Sequence, residues 1–363
     1  MLFLVWKTSE NYKYNAVVEY KLLMTDGIQI RLIISMLFFL GIAWPANSQD
    51  SVVEKNDEVI SFQVENDLIF GTDQDFTNGL RLSYVHWPDK TVLGHEISEI
   101  LRSVSPLAKT MDVKDLYYTI SFGQNMYTPS DIEDFELIPT DRPYAGWTYF
   151  EFGVTAETEK GYEVIKLDLG LVGPASGAGA TQRRWHRIIN SPRPNGWEHQ
   201  LPNELGLNIN YTRGYRYQLT RPFSRFQMDV TPHWGAALGN VHIYGAAGLT
   251  FRFGDNLQRD MGAPPRIQPS LPGSDHFSGS GWDFYLFAGA EVRAVERNIF
   301  LDGTWRAHEH SVESKFLVGE LQVGGVLFAG RFRISVSNVF RTDEFVGAKG
   351  DHRYSAMTLS VRF

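Results

Sequence analysis

Apolar and polar residues alternate in segment after segment downstream of residue 48, a pattern typical of β-strands with two different faces. In the first segment Ile60, Phe62 and Val64 form the apolar set, and the last segment alternates in the same way up to Phe363. The segments that can be traced are 58–70, 76–87, 115–126, 145–156, 161–173, 203–218, 225–237, 240–253, 282–302, 313–328, 330–341 and 353–363. The ninth is one strand if Asn298–Gly303 extends it. The pattern predicts an all-β chain.

The lengths of these segments favour a membrane barrel over a soluble sandwich, which would alternate as well. Most run for about 10–14 residues, enough to cross a bilayer when tilted. Bacterial barrels made of one chain have even strand numbers, and a count of about twelve satisfies that rule. The chain also stops at Phe363 on the apolar face, which looks like the signal read by the outer-membrane assembly machinery. We predict a transmembrane antiparallel β-barrel of about twelve strands over residues 49–363.

The amino-terminal region predicts export. Arg31 is followed by the apolar run Leu32–Trp44 and then by small residues up to Ser48. This run is shorter than the roughly 20 residues that a spanning helix needs, so it predicts a cleaved signal peptide. Residues 1–48 are therefore expected to be an extension and a signal peptide, with the true start at Met1, Met24 or Met36. The expected location is the outer membrane of a Gram-negative bacterium.

The composition and motifs of the sequence exclude several classes of protein and of catalytic site. The mean hydropathy of −0.23 excludes a polytopic helical membrane protein. The net charge of −8 argues against a nucleic-acid partner bound through phosphate neutralisation. Cysteine is absent, which excludes thiolate metal sites, cysteine nucleophiles and disulfide scaffolds. No G-x-S-x-G run occurs, so a serine nucleophile elbow has no support.

The predicted topology gathers the unusual polar residues at one end of the barrel. With the amino terminus in the periplasm, the surface connections are 71–75, 127–144, 174–202, 238–239, 303–312 and 342–352. The stretches 88–114 and 254–281 become long periplasmic segments. Within the third surface connection, residues 181–189 predict a short helix in which Gln182 and His186 share a face at i, i+4.

Several runs at this surface end carry a family resemblance. They are ENDLIF at 65–70, DFTNGL at 75–80, DRPYAGW at 141–147, Q-x-x-x-H-R-I-I at 182–189 and GW-x-x-Q-x-x-N-E at 196–204. Together they resemble the lipid A 3′-O-deacylases of Gram-negative outer membranes. The resemblance implies a twelve-stranded barrel that removes the 3′-linked acyloxyacyl group of lipid A in the outer leaflet. It also implies a dependence on calcium and a site between the barrel wall and a loop helix.

The same resemblance assigns roles to individual residues. His186 matches the general base, and Asn66, Asp67 and Thr77 match the rest of the reaction site, with Asp67 as the ligand of Ca²⁺. The residue types fit this chemistry independently, because ester hydrolysis needs an activated water and a cation or donors for the oxyanion. Histidine is the natural base near neutral pH. Carboxylate, amide and backbone oxygens are the ligands that Ca²⁺ prefers.

Four arginines and Gln182 are predicted to contact the substrate. Arg183, Arg184 and Arg187 suit the phosphates of lipid A, since guanidinium binds phosphate bidentately. Arg142 is counted with them, although a structural rim salt bridge is an open alternative that we favour over catalysis. The family pattern would place a lysine in the second surface connection, yet residues 126–144 contain none. Arg142 could take its electrostatic role, the phosphorylation of the substrate could differ, or the activity could be reduced.

Alternation also predicts which way the site faces. Asn66 falls in register with the lipid-facing set of the first strand, and Asp67 and Thr77 fall in the other set. The predicted helix could then lie against the outer wall and bring His186 towards Asn66. The residues Trp87, Trp147, Tyr149 and Trp282 are candidates for the aromatic girdle at the membrane interface.

The alternative function is a non-catalytic barrel, either a channel or a surface-binding protein, built on the same scaffold. A porin would need a wide water-filled lumen, whereas twelve strands with bulky inward side chains favour a plugged one.

Overall fold

The computed structural model describes residues 57–66, 75–87, 103, 115–219, 225–305, 310–348 and 352–363. Its strands are β1 Val59–Asn66, β2 Asp75–His86, β3 Asp115–Thr128, β4 Ala145–Thr158, β5 Gly161–Val172, β6 Glu204–Tyr215, β7 Tyr217–Gln218, β8 Gln227–Gly239, β9 His242–Gly254, β10 Trp282–Asn298, β11 Leu317–Ala329, β12 Phe332–Arg341 and β13 His352–Arg362. Its α-helices are α1 Ala178–Ile189 and α2 Ile299–Asp302. Among these residues, no helix is long and apolar enough to cross a bilayer. The predicted signal segment 1–48, Asp67 and all of 88–114 except residue 103 lie outside the described residues.

Strand pairing closes the sheet into a barrel. Consecutive strands pair antiparallel, β6 pairs with β8 from Asn208↔Gly239 to Gly214↔His233, and β1 pairs with β13 from Val59↔Arg362 onward. The barrel therefore has twelve strands, and β7 is an additional short strand beside β8. The predicted all-β antiparallel barrel of twelve strands with a helix in a surface connection is confirmed.

The ninth predicted strand ends earlier than expected. Strand β10 stops at Asn298, and residues 299–302 form the single turn α2 instead of extending the strand to 303. The Asn298 side chain accepts a hydrogen bond from the backbone N–H of Phe300 at 3.1 Å, which caps this turn. The Phe300 ring stacks on Tyr127 with centroids 4.0 Å apart. The apolar run Ile299–Leu301 is buried, so alternation gives no information there.

The two faces of the barrel differ in chemistry. Apolar side chains such as Phe62, Leu82 and Phe363 are exposed on the outside, where a bilayer would cover them. Of the four predicted girdle residues, Trp282 is 73% exposed, whereas the other three are buried in aromatic clusters inside the barrel. The prediction was wrong for those three. Trp147 and Tyr149 alternate with the outward Phe150 and therefore point inward, where they stack on each other at 4.3 Å.

Residues 255–281 enter the barrel, contrary to the predicted periplasmic segment; we call them the lumen segment. Gln63 Nε2 donates to the Pro265 carbonyl at 2.9 Å, and the Ile267 N–H donates to Glu65 Oε1 at 2.9 Å. Gln63 and Glu65 alternate with outward-facing apolar residues of β1, so both contacts are on the inner face. The lumen segment thus runs inside the barrel from the end of β9 almost to the end where α1 lies, and then returns to the start of β10.

Inward-facing arginines hold the lumen segment. Arg81 pairs with Asp275 of this segment at 3.1 Å and with Glu151 of the wall at 2.8 Å. Arg252 pairs with Asp260 at 2.7 Å. Other wall arginines donate to backbone carbonyls of the lumen segment, namely Arg216, Arg293, Arg333, Arg341 and Arg362. An unpaired buried charge costs several kcal/mol, so the wall and the lumen segment stabilise each other.

The filled lumen predicts that the barrel does not conduct. In planar lipid bilayers we expect no steady porin-like conductance steps from the wild-type protein. A variant in which residues 262–279 are replaced by a short Gly-Ser linker should conduct, because the obstruction is removed. Heat-modifiable electrophoretic mobility serves as the folding control for the variant. Stable open-channel currents from the wild-type protein would contradict the prediction even if the variant does not fold.

Candidate active site

A row of polar residues crosses the outer face at the α1 end of the barrel. Pairing across β12, β13, β1 and β2 aligns Asn338, Ser355, Asn66 and Asn78, and we call this set the polar row. Asn66 is on the outward face of β1, as alternation predicts. Its Nδ2 donates to the Thr77 carbonyl at 2.8 Å, so Asn66 and Thr77 are brought together. The polar row thus interrupts the apolar surface of the outer wall at this rim.

Alternation predicts that Thr77 faces the lumen, but the structure places its side chain differently. A β-bulge between Phe76 and Asn78 shifts the register of β2 against β3, and Phe76 turns into the inner cluster. The Thr77 hydroxyl lies 2.5 Å from the hydroxyl of Thr128. Thr128 follows the inward Tyr127, so its side chain is on the outer side of the wall. The bulge therefore delivers the Thr77 hydroxyl to the same side as Asn66.

Helix α1 is seated on the outer wall beside the polar row. Pairing continues from Asn78 to Met126 of β3 and Gly146 of β4, three strand spacings of about 4.8 Å from Asn66. A Cβ on Gly146 would overlap the Cβ of Ala178, the first residue of α1. The preceding 3₁₀ turn is fixed by outward side chains, since Gln124 Nε2 donates to the carbonyl of Ser176 at 2.7 Å.

The two sides of α1 separate the predicted site residues. Ala178, Gln182 and His186 recur every four residues on the buried face. Arg183, Arg184 and Arg187 are exposed, together with the apolar side chains of Trp185 and Ile188. The predicted helix and the shared face of Gln182 and His186 are confirmed, and the helix begins at residue 178 rather than 181.

The end of α1 orients His186. Asn190 adopts a left-handed conformation (φ 56°) that ends the helix, and its N–H donates to the His186 carbonyl. The chain then reverses, and the Pro192 carbonyl accepts a hydrogen bond from His186 Nδ1 at 2.6 Å. A carbonyl oxygen can only accept, so Nδ1 carries the proton and, in the neutral ring, Nε2 keeps the lone pair. This tautomer is the one that lets Nε2 act as a base.

Gln182 is held from the side by Trp197, which lies in a 3₁₀ turn at Gly196–His199. The Trp197 indole Nε1 donates to Gln182 Oε1 at 2.6 Å. The indole packs on Gly179, where an added Cβ would lie 2.8 Å from Trp197 Cδ2, and on the Tyr144 ring at 5.1 Å. The sequence pattern included Trp197 in its GW run without a role, and Thr128 and Gly146 were missed as contacts of the site.

Arg142 lies beneath the rim. Its guanidinium is almost fully buried and pairs with Glu344 at 2.9 Å, with the Tyr127 and Phe345 rings 6.0 Å and 5.6 Å away. Burial opposes ionisation of Glu344, but Arg341 and Arg142 outweigh it and lower the carboxyl pKa from 4.5 to about 2. This geometry is the rim salt bridge considered as the alternative to a substrate contact.

Arg142 is the only Lys or Arg in the second surface connection, which is otherwise acidic. Asp131 Oδ1 accepts hydrogen bonds from the N–H groups of Glu133 and Asp134, and Asp134 Oδ1 accepts one from Glu136. These carboxylates therefore shape their own loop as Asx turns. With the Arg142 guanidinium turned to Glu344, the positive charge near the helix comes from the arginines of α1.

The described part of the site offers hard oxygen ligands. The Thr77 and Thr128 hydroxyls lie 2.5 Å apart, the Asn66 side chain is bonded to the Thr77 carbonyl, and no thiolate exists anywhere in the sequence. Within the described ranges, no group of three or more His, Asp or Glu side chains could hold a metal ion. An oxygen set of this kind fits Ca²⁺ better than zinc, provided that Asp67 supplies a carboxylate. Asp67 itself is outside the described residues.

The fold and the helix seated on the wall define an outer-membrane β-barrel whose outer face carries a helix beside its rim. More particularly, the family model of the outer membrane protein LpxR matches residues 32–363, so the chain belongs to this family. The solved structure of LpxR from Salmonella typhimurium is similar, with 22% identity, a TM-score of 0.68 and coverage of 84% of this chain and 100% of that one. The translocator domain of the autotransporter NalP from Neisseria meningitidis gives 9% identity, a TM-score of 0.37 and coverage of 92% and 95%. No curated protein matches the chain.

The close seat of α1 predicts that Gly146 tolerates no larger side chain. We expect Gly146→Val to lift the start of α1 from the wall, because overpacking of this kind costs about 1–3 kcal/mol. Trypsin should then cleave after Arg183, Arg184 and Arg187 about tenfold faster in the folded barrel. Gly153→Ala in the same strand is the control, since its added Cβ would have no neighbour closer than 3.4 Å. Equal cleavage rates for Gly146→Val and the wild type would contradict this seat.

The Arg142–Glu344 pair predicts a pH-dependent rim. The pKa of Glu344 is lower in the folded protein than in the unfolded chain. The stability that the ionised carboxylate contributes to the folded protein is therefore complete above pH 4.5 and is lost as the pH falls towards about 2. Glu344→Gln should lower the free energy of unfolding by roughly 3 kcal/mol at pH 7, the equivalent of that pKa change. The difference should shrink across this window when unfolding is followed by heat-modifiable mobility. Glu313→Gln, at an exposed position of the neighbouring loop, is the control. A difference that does not change with pH would be the contrary outcome.

Proposed function

We propose that this protein is an outer-membrane ester hydrolase that removes the 3′-linked acyloxyacyl group of lipid A. The observation that carries the proposal is the orientation of His186: a buried imidazole, with Nδ1 donating to a carbonyl, on the face of α1 that meets the outer wall. A base in that place serves a substrate in the surrounding leaflet. A channel would instead need its functional groups inside, where the lumen segment fills the barrel.

In the proposed reaction, His186 Nε2 takes a proton from a water molecule, whose oxygen attacks the carbonyl carbon of the ester. The bond from that carbon to the 3′ oxygen breaks, and the imidazolium returns its proton to the leaving alkoxide. The products are the free acyloxyacyl acid and a lipid A with a 3′ hydroxyl. Pro192 fixes the tautomer through its carbonyl, so the ring is ready to accept the proton at Nε2 without rotating.

Calcium would be held by Asp67 together with the oxygens of Asn66 and Thr77, and its chemistry would be the polarisation of the ester carbonyl. The hydrogen bond from Asn66 Nδ2 to the Thr77 carbonyl supports this arrangement, because it joins the two residues at the same rim. The bulge at Thr77 supports it as well, since it brings the Thr77 hydroxyl to the outer side.

The exposed arginines of α1 suit the phosphates of lipid A. Arg183 and Arg187 lie one turn apart, so they present guanidinium groups along one side of the helix. Trp185 and Ile188 are exposed on the other side, where they can enter the apolar part of the leaflet. A helix with this distribution lies at headgroup depth with its base directed at the wall.

The direct test is the mass spectrum of lipid A from cells that produce the protein. We expect loss of an acyloxyacyl group with the wild type and a rate at least 100-fold lower with His186→Ala, which removes the base. His199→Ala, in the same loop but exposed, is the matched control and should keep full activity. Heat-modifiable mobility confirms that each variant is folded.

Chelation tests the metal in membranes from the same cells. Excess chelator and Asp67→Ala should each abolish deacylation, and added Ca²⁺ should restore the activity of the chelated wild type only. An unchanged lipid A profile with the folded wild-type protein would refute the hydrolase and favour the non-catalytic barrel. Full activity in chelator would refute the calcium site while leaving the hydrolase standing.

A further inference from the structure

The buried face of α1 carries an amide donor that the mechanism above does not use. Gln182 is only 2% exposed, and among the described residues its Nε2 has no hydrogen-bond partner. A buried donor left unpaired costs about 1–3 kcal/mol, so a bound water or a ligand atom is the partner expected for it. Gln182 precedes His186 by four residues, which places their Cβ atoms about 5–6 Å apart on one face of the helix.

The orientation of this amide is fixed by its neighbour. An indole N–H can only donate, so the Trp197 hydrogen bond at 2.6 Å must end on the oxygen of Gln182. The NH₂ group of Gln182 is therefore the end of the amide that does not contact the Trp197 N–H. Trp197 in turn is clamped between Gly179 and Tyr144, so it cannot follow the amide if that group rotates.

We propose that Gln182 is a catalytic hydrogen-bond donor to the carbonyl oxygen of the scissile ester, and that Trp197 is the residue that positions it. The inference rests on the proposed function, because it assigns the donor a role in that same ester hydrolysis. As water attacks, negative charge grows on the carbonyl oxygen, and a fixed donor in a buried site stabilises that charge without reorganising.

Three variants separate this role from simple packing. Gln182→Glu keeps an oxygen for the Trp197 indole but, when ionised, has no proton to donate. Trp197→Phe keeps a ring against Gly179 and Tyr144 but removes the N–H. The amide of Gln182 can then rotate and exchange the positions of its oxygen and its NH₂ group. The variant with both substitutions completes a double-mutant cycle. Thr181→Glu, the neighbouring residue on α1, controls for the added negative charge.

The measurement is kcat and KM for deacylation of purified lipid A in detergent micelles, with trypsin resistance of α1 as the folding readout. We expect Gln182→Glu to lower kcat about 100-fold with KM changed less than threefold, because the donor acts in the transition state. Trp197→Phe should lower kcat about tenfold. The double variant should be no slower than Gln182→Glu, since Trp197 acts only through Gln182. Thr181→Glu should match the wild type.

Each contrary result has a distinct meaning. A change confined to KM, or losses that multiply in the double variant, would show that the two residues only anchor the substrate or the helix, and would overturn the inference. An active wild type with an equally active Gln182→Glu would overturn it too, and would leave the hydrolase intact. A wild type that does not deacylate lipid A would refute both the proposed function and the donor role.

Discussion

The structure depends on the neutralisation of arginines that point into the barrel. The wall supplies part of the compensating charge, as where Glu151 meets Arg81, but the lumen segment supplies the rest through Asp260, Asp275 and its carbonyls. Burying a cation without a partner would cost far more than one hydrogen bond contributes. The wall sequence therefore requires a filled lumen, and the filled lumen requires residues 255–281.

This constraint extends from the lumen to the outer site. The lumen segment meets Arg341, which donates to the Pro269 carbonyl at 3.1 Å and pairs with Glu320 at 2.7 Å and with Glu344 at 3.3 Å. Glu344 holds Arg142, and Arg142 stands four residues before Gly146, on which α1 rests. The inner charges thus stabilise the loop that leads into the seat of the helix. The inside of the barrel supplies stability, and the outside carries the residues to which we assign the proposed chemistry.

Alternation predicted the twelve strands because a strand in a barrel must present one face to lipid and one to the interior. The i, i+4 spacing in residues 181–189 separately predicted α1 and the shared face of Gln182 and His186, since helical spacing is local. Alternation failed where one residue changes the parity, as in the bulge at Thr77, and where both faces are apolar, as at Trp147 and Tyr149. The path of residues 255–281 was not predictable, because long-range pairs with wall arginines determine it.

The placement of His186, the proposed base, follows from the sizes of the side chains along one face of α1. Contact begins with Ala178 on Gly146, and small residues of this kind let two backbones approach closely. One turn later the same face carries an amide, and another turn later an imidazole, so progressively larger polar groups are directed towards the same wall. Asn190 then stops the helix in a left-handed conformation, and the returning chain supplies the carbonyl that sets the tautomer of His186. The position of His186 is therefore defined by where α1 is seated and where it ends, and both are determined by residues to which the proposed mechanism gives no chemical role.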